Sequence, residues 1–263
     1  LLAFTSLGRL YWLKVYEIPE ASRTARGRAI VNLLNLKENE KVASILPVKE
    51  FIDGKYLFMT TMAGVCKRCD LMEFSRVRKS GIIACNLDQG DILIGVGITS
   101  GADEIILSTK NGLAIRFSED AVRSMGRTAR GVRGVSLEEG DEVVSMTTVL
   151  KSEDNNLTPQ SLLTVCINGY GKRTELSEYR LQGRGGKGLI DIQVEGRNGP
   201  VVAAFTVDDS SEFMLITTGG KIIRTQAKGL SLIGRNTKGV RLIELEEGEQ
   251  VAAVAPVAGE EEE

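Results

Sequence analysis

The chain has no histidine, a single tryptophan, five prolines and four cysteines, and aromatic side chains make up only 5% of it. Without histidine there is no imidazole to serve as a general base, and the carboxylates fall mainly in turns, so catalysis by this chain alone is not expected. A zinc site would need Cys66, Cys69, Cys85 and Cys166 to converge. Those four are too few and too irregularly spaced for a disulfide framework, which points to a reducing compartment. The CxxC of Cys66 and Cys69 lies in "VCKRCDL", which alternates like a strand and does not open a helix, so the two thiols read as members of one strand. No apolar run approaches 18 residues and no signal-peptide pattern is present, so no membrane span or membrane partner is expected. With no initiator Met, the expectation is a fragment of a longer, cytoplasmic polypeptide.

Glycine is abundant, at 29 residues, and its placement exposes a repeat. Five units each open with an apolar strand, a turn glycine and a basic strand: "LLAFTSLGRLYWLKV", "YLFMTTMAGVCKRCD", "EIILSTKNGLAIRFS", "LLTVCINGYGKRTEL" and "FMLITTGGKIIRTQ". A loop then reaches a glycine (Gly27, Gly81, Gly131, Gly188, Gly239) that leads into a third strand: "AIVNLL", "IIACNL", "VRGVSL", "LIDIQV" and "VRLIEL". An acidic turn and a fourth apolar strand close each unit. A period near fifty residues with four short strands, and no amphipathic helix between units, predicts an all-β fold of radially repeated sheets. A lone four-stranded sheet cannot cover both apolar faces, so neighbouring blades must pack on one another. The expected organisation is one domain over residues 1–258, with repeats near 1–55, 56–103, 104–161, 162–212 and 213–258, followed by an acidic tail at 259–263. The polar stretch 150–161, "LKSEDNNLTPQS", reads as a loop inserted between the third and fourth units.

The loops around the third-strand glycines are "SRTARGR" (22–28), "SRVRKSG" (75–81), "RSMGRTARGVR" (123–133), "RLQGRGGKG" (180–188) and "GRNTKGVR" (234–241). Of the 33 Lys and Arg in the chain, 16 fall in these five stretches, which contain no Asp or Glu, leaving the remainder at a formal charge near −18. Equivalent positions of a radial fold lie on one edge, so the loops predict a cationic stripe on an acidic body, the footprint of a polyanion. The candidate contacts are Arg23, Arg26 and Arg28; Arg76, Arg78 and Lys79; Arg123, Arg127, Arg130 and Arg133; Arg180, Arg184 and Lys187; and Arg235, Lys238 and Arg241. Gly185, Gly186 and Gly188 join them, because glycine lets backbone N–H groups approach a phosphate closely. The loops hold no Phe, Tyr or Trp on which to stack bases, which favours duplex over single-stranded nucleic acid. Gly183, Gly185 and Gly188 also spell GxGxxG, but the strand-like "LIDIQV" follows where a dinucleotide-binding turn needs a helix.

Beyond these readings, "YEIPEASRTARGRAIVNLL", "GVRG" at 131–134, "NGYGKRTELSEY" and "GRNTKGV" resemble the C-terminal domain family of the bacterial DNA gyrase A protein, across essentially the whole chain. The resemblance implies a β-pinwheel, a propeller-like ring whose blades exchange strands, that wraps duplex DNA around its rim. "QGRGGKG" (182–188) is similar to the family's Gln-Arg-Arg-Gly-Gly-Arg/Lys-Gly box, which adds Gln182 to the candidate contacts and puts Gly183 where the first arginine is expected. The family's box sits in the first blade, whereas here it falls in the fourth unit. Either a sixth blade carrying the main box precedes Leu1, or this box is additional or relocated. The implied partners are double-stranded DNA, the N-terminal region of the same gyrase A protein, and the gyrase B protein in a heterotetramer. No cofactor is implied for the domain itself, ATP and Mg2+ being used elsewhere in that assembly to introduce negative supercoils. The C-terminal domain of topoisomerase IV is the near alternative, and a propeller scaffold for an acidic protein partner is the alternative from another class. The "AGEEEE" ending reads as a solvated tail or as an acidic competitor for the basic rim.

Overall fold

The computed structural model describes residues 1–22, 29–76, 78, 80–149 and 160–257. In chain order the strands are β1 (Leu2–Thr5), β2 (Arg9–Trp12), β3 (Val42–Leu46), β4 (Tyr56–Thr61), β5 (Val65–Asp70), β6 (Ile82–Ile83), β7 (Leu93–Thr99), β8 (Glu104–Thr109), β9 (Leu113–Ser118), β10 (Val132–Arg133), β11 (Val143–Val149), β12 (Ser161–Cys166), β13 (Tyr170–Glu175), β14 (Leu189–Ile190), β15 (Val201–Val207), β16 (Glu212–Thr217), β17 (Ile222–Gln226), β18 (Val240–Arg241) and β19 (Val251–Val257). The helices among the described residues are single 3-10 turns, five of which cap a second strand directly or within a few residues, as Leu71–Phe74 does β5 and Leu176–Glu178 does β13. The chain is therefore all-β, as its alternating patterns predict, and both Cys66 and Cys69 lie in the strand β5.

The chain divides into two compact units, Leu1–Gly101 with Val122–Val132, and Ala102–Ala121 with Arg133–Glu263. In the first, sheets run β3-β1-β2-β6 and β10-β5-β4-β7. Between them lies a core of Leu2, Phe4, Leu10, Leu57, Met59, Phe74 and their neighbours. In the second unit the sheets run β11-β8-β9-β14, β15-β12-β13-β18 and β17-β16-β19. Leu163, Val165, Phe213 and Leu215 lead one of its cores, and Ile106, Leu162, Leu176 and Tyr179 another. Every residue of β8 and β12 is buried, because both faces of those strands are covered; β16 alternates buried and half-buried residues.

The sheets do not coincide with the sequence repeats. The third strand of each repeat leaves its own sheet and pairs with the second strand of the repeat before it: β6 with β2, β14 with β9 and β18 with β13. The glycine before each donated strand is what allows this docking. Gly188 (φ +85°) and Gly239 (φ +65°) bring their backbones so close to the receiving strand that a Cβ would lie 2.7 Å from the Ala114 carbonyl oxygen and 2.2 Å from that of Gly171. The structure departs from five equal four-stranded blades in two places. The last sheet has three strands among the described residues, where the other four have four. In the first repeat "AIVNLL" carries a 3-10 turn at Ile30–Asn32 and no strand.

Candidate nucleic-acid interface

The basic loops of the third, fourth and fifth repeats each leave a second strand through a turn and run alongside the second strand of the preceding repeat before reaching their glycine. Three loops use the same contact: Met125 N–H donates to Arg68 O at 2.9 Å, Gln182 N–H to Arg116 O at 3.0 Å and Ile233 N–H to Arg173 O at 2.8 Å. Two loops are also held from below by a buried lysine of the adjoining strand. Lys67, 1% exposed, donates to the Ala84 carbonyl at 2.8 Å and to the Arg127 carbonyl. Lys172, fully buried, donates to the Asp191 carbonyl at 2.6 Å and to the Gly234 carbonyl at 2.9 Å. The sequence shows these lysines only as members of basic strands. Their use as props for the loops was not legible there.

The predicted cations separate into three groups. Arg76, Arg78, Arg123, Arg133, Arg180 and Lys238 are exposed, and among the described residues their side chains have no hydrogen-bond or ion-pair partner. Arg130, Lys187 and Arg241 are exposed but paired: Arg130 with Asp88 at 3.2 Å, Lys187 with Glu138 at 3.2 Å, and Arg241 with Glu244 at 3.7 Å and the Tyr170 hydroxyl at 3.2 Å. Such pairs lie in water, are worth little, and leave the cation exchangeable. Arg127, Arg184 and Arg235 instead turn toward protein backbone. Arg184 donates from Nε to Ala121 O at 2.7 Å and from Nη1 to Arg133 O at 3.0 Å. Arg23, Arg26, Arg28 and Lys79 lie outside the described residues, as do 150–159 and the tail 258–263.

The glycines of 182–188 are arranged differently from the expectation that they open the backbone to phosphate. Gly185 N–H is already spent on Gly134 O at 2.6 Å, the Gly185 carbonyl accepts from Ser136 Oγ at 2.8 Å, and the Gly186 carbonyl accepts from Ser136 N at 2.9 Å. Gly188 approaches Ala114, as described above. The box is thus knit to the neighbouring repeat, and Gln182 is half-buried with its Nε2 unpaired. One further cation went unnoticed in the sequence: Arg197, set in an acidic turn, stacks 4.7 Å over Tyr170 beside Arg241 and donates to Gly239 O at 3.1 Å.

Beneath the fifth loop is a buried polar cluster. The Asp191 carboxylate accepts from Thr164 Oγ1 at 2.6 Å and from the Tyr179 hydroxyl at 2.5 Å, and lies 3.2 Å from Lys172 Nζ. Burial, with the Asp191 charge beside it, drives the Tyr179 hydroxyl far above its ordinary range, and burial lowers the Lys172 ammonium despite that carboxylate. Asn236 N–H also donates to the Asp191 carbonyl, at 2.7 Å, so the cluster props the loop as well as neutralising itself. The four cysteines are buried and free, and burial pushes Cys69 and Cys166 up to about 12, which keeps their thiols protonated at neutral pH.

Comparison with known proteins follows the same repeat. A family model described as the DNA gyrase C-terminal domain, beta-propeller, matches residues 1–49, 55–100, 103–149, 168–208 and 211–258. The DNA gyrase A protein of Salmonella typhimurium is 51% identical over 258 residues, 98% of this chain but 29% of that protein. Its Escherichia coli counterpart is 47% identical over the same coverage. The chain thus spans under a third of the length of these relatives. Among solved structures, a DNA gyrase A C-terminal domain superposes with a TM-score of 0.82 at 28% identity, covering 98% of this chain and 82% of that one. The C-terminal domain of a DNA topoisomerase IV gives 0.85 at 26% identity, covering 97% and 78%. Since the fold accommodates both enzymes, the higher identity to gyrase A proteins and the family match over five segments decide the assignment: the chain belongs to the DNA gyrase C-terminal domain family.

Proposed function

We propose that this domain binds duplex DNA through its basic loops without reading base sequence and bends the duplex along them, serving as the DNA-wrapping part of a gyrase A protein. The observation that carries the reading is the set of six exposed cations, Arg76, Arg78, Arg123, Arg133, Arg180 and Lys238, spread over four of the five basic loops and without a partner among the described residues. Guanidinium and ammonium groups with no protein partner are disposed to neutralise phosphate and release counterions. Among the described residues, strands and single 3-10 turns supply no recognition helix, so contact is with the backbone of the duplex. Smooth bending of 20 to 30 base pairs costs about 1 to 6 kcal/mol, and several simultaneous phosphate contacts offset that.

In the longer protein, DNA cleavage would belong to the N-terminal region of gyrase A and ATP hydrolysis to the gyrase B protein, in a cytoplasmic heterotetramer. The domain itself then contributes binding energy and the direction of the bend, which biases strand passage toward negative supercoils. It needs no cofactor for that. The deciding experiment closes relaxed plasmid with ligase in the presence of the chain and reads the change in linking number. A shift that grows with protein and vanishes at high salt is expected; tight binding with no shift would leave binding without wrapping, and binding an acidic peptide in preference to duplex would favour a protein scaffold.

A further inference from the structure

Arg127, Arg184 and Arg235 share a place in the repeat, four residues before Gly131, Gly188 and Gly239. They also share a target. Each directs Nη1 to the carbonyl of the second residue of the strand donated by the preceding repeat: Arg127 to Ile83 O at 3.5 Å, Arg184 to Arg133 O at 3.0 Å and Arg235 to Ile190 O at 3.1 Å. Those strands, β6, β10 and β14, are the outermost of their sheets. An edge strand presents backbone groups that no ladder satisfies, and a carbonyl on it is a natural acceptor for a planar guanidinium. In the second repeat the equivalent position is Val77, whose side chain has no donor, and the Ser80 carbonyl of that loop accepts from Arg9.

We propose that these three arginines are positioning residues: each clasps its own basic loop to the edge of the preceding sheet and so sets the spacing of successive phosphate-binding loops, without itself contacting phosphate. The proposal rests on the DNA-bending reading above and divides the labour within each loop. At 180–188, Arg180 is left for phosphate, Lys187 is exchangeable from Glu138, and Arg184 holds the loop in place. Binding a short duplex needs only local charge. Bending a long one needs loops at fixed intervals, so loss of the clasp should spare the first and damage the second.

The test compares Arg184→Lys, Arg184→Gln and Lys187→Gln in the full 263-residue chain. Lysine keeps the charge at 184, but an ammonium on a flexible stem cannot span the Ala121 and Arg133 carbonyls as the guanidinium does. For a duplex of about 20 base pairs, both Arg184 variants should retain the parent dependence of log K on log salt, whereas Lys187→Gln should flatten it by about 0.9. In plasmid ligation at saturating chain, Arg184→Lys should lose at least about half of the linking change, the loss expected where one loop no longer holds its place among its neighbours. A third readout needs no DNA: hydrogen exchange at Gly185 N–H, which is bonded to Gly134 O, should speed up in Arg184→Lys at unchanged thermal stability. Full linking change in Arg184→Lys, or a slope flattened by about 0.9 in Arg184→Gln, would overturn the clasp in favour of a phosphate contact. Unchanged exchange at Gly185 would overturn it without reference to DNA. A parent chain that gives no linking change at all would refute the wrapping reading, while the exchange result still decides the clasp.

Discussion

Lys67 and Lys172 occupy the same position of successive even-numbered repeats and do the same mechanical work, yet their surroundings differ. Each is buried on a second strand and donates to two carbonyls, one on or beside a donated strand and one in the basic loop that follows. Lys172 has the Asp191 carboxylate at 3.2 Å, itself held by Tyr179 and Thr164. At the equivalent places around Lys67 stand Ala84 and Phe74, both fully buried, and no carboxylate pairs with it among the described residues. The difference teaches that propping a loop requires only an ammonium and two carbonyls, while neutralising the buried charge is a separate problem that one repeat solves with a carboxylate and the other without one.

Removing each lysine should separate the two tasks. Lys172→Met strands a buried carboxylate, and a loss of about 3 to 5 kcal/mol is expected in urea unfolding. Lys67→Met leaves carbonyls but no paired carboxylate unsatisfied, with an expected loss of about 1 to 3 kcal/mol. Equal losses would mean that Asp191 does not depend on Lys172 for its charge compensation.

The comparison sharpens if the polar cluster is transplanted. Ala84→Asp alone should destabilise, since it buries a carboxylate without its hydroxyl donor, and adding Phe74→Tyr should recover part of the loss. A favourable coupling of about 0.5 to 3 kcal/mol in the double-mutant cycle is expected, and strict additivity would show that the two sites are not geometrically equivalent.

Alkaline pH offers a third way in. Because the folded-state pKa of Tyr179 is raised above its unfolded value of 10.0, its contribution is fully present below pH 10 and is lost as pH rises beyond it. The stability gap between the parent and Tyr179→Phe should therefore change above pH 10, by up to about 1.4 kcal/mol per pH unit. The direction is a narrowing, since ionisation of the phenol in the unfolded chain favours unfolding of the parent alone. The depressed Lys172 works with the opposite sign just below 10.5, but both proteins carry it. A gap that stays constant to about pH 11 would place the phenol in contact with solvent.

The smallest effect belongs to the surface. Glu138→Gln releases Lys187 from an exposed pair, so stability should change by less than about 0.5 kcal/mol. Short-duplex affinity at low salt should rise, because a carboxylate no longer competes with phosphate for that cation. Unaltered affinity would mean that Lys187 does not meet DNA.

Much of this molecule was legible in its sequence because β-strands alternate, turns demand glycine, and both recur every fifty residues or so. The partition of charge into five loops was equally plain, since counting needs no coordinates. Roles within the loops were not. Arg180 and Arg184 are both arginines of one glycine-rich stretch, yet one faces solvent and the other a neighbouring edge strand. "CKRC" and "GKRT" read alike as basic strands, although Lys67 and Lys172 are buried. "AIVNLL" and "LIDIQV" follow equivalent glycines, but the first forms a 3-10 turn and the second a strand paired with β9.

Composition and periodicity by themselves determined the all-β class, the five-fold repeat and the cationic loops, because each depends on local backbone preference and on formal charge. Tertiary structure alone decided which strand completes which sheet, which glycines serve docking, and which cations are spent on the protein. Those outcomes depend on unpaired carbonyls of edge strands, met by arginines 44 to 51 positions away along the chain, and on the charge compensation of buried groups, met by side chains 12 to 27 positions away.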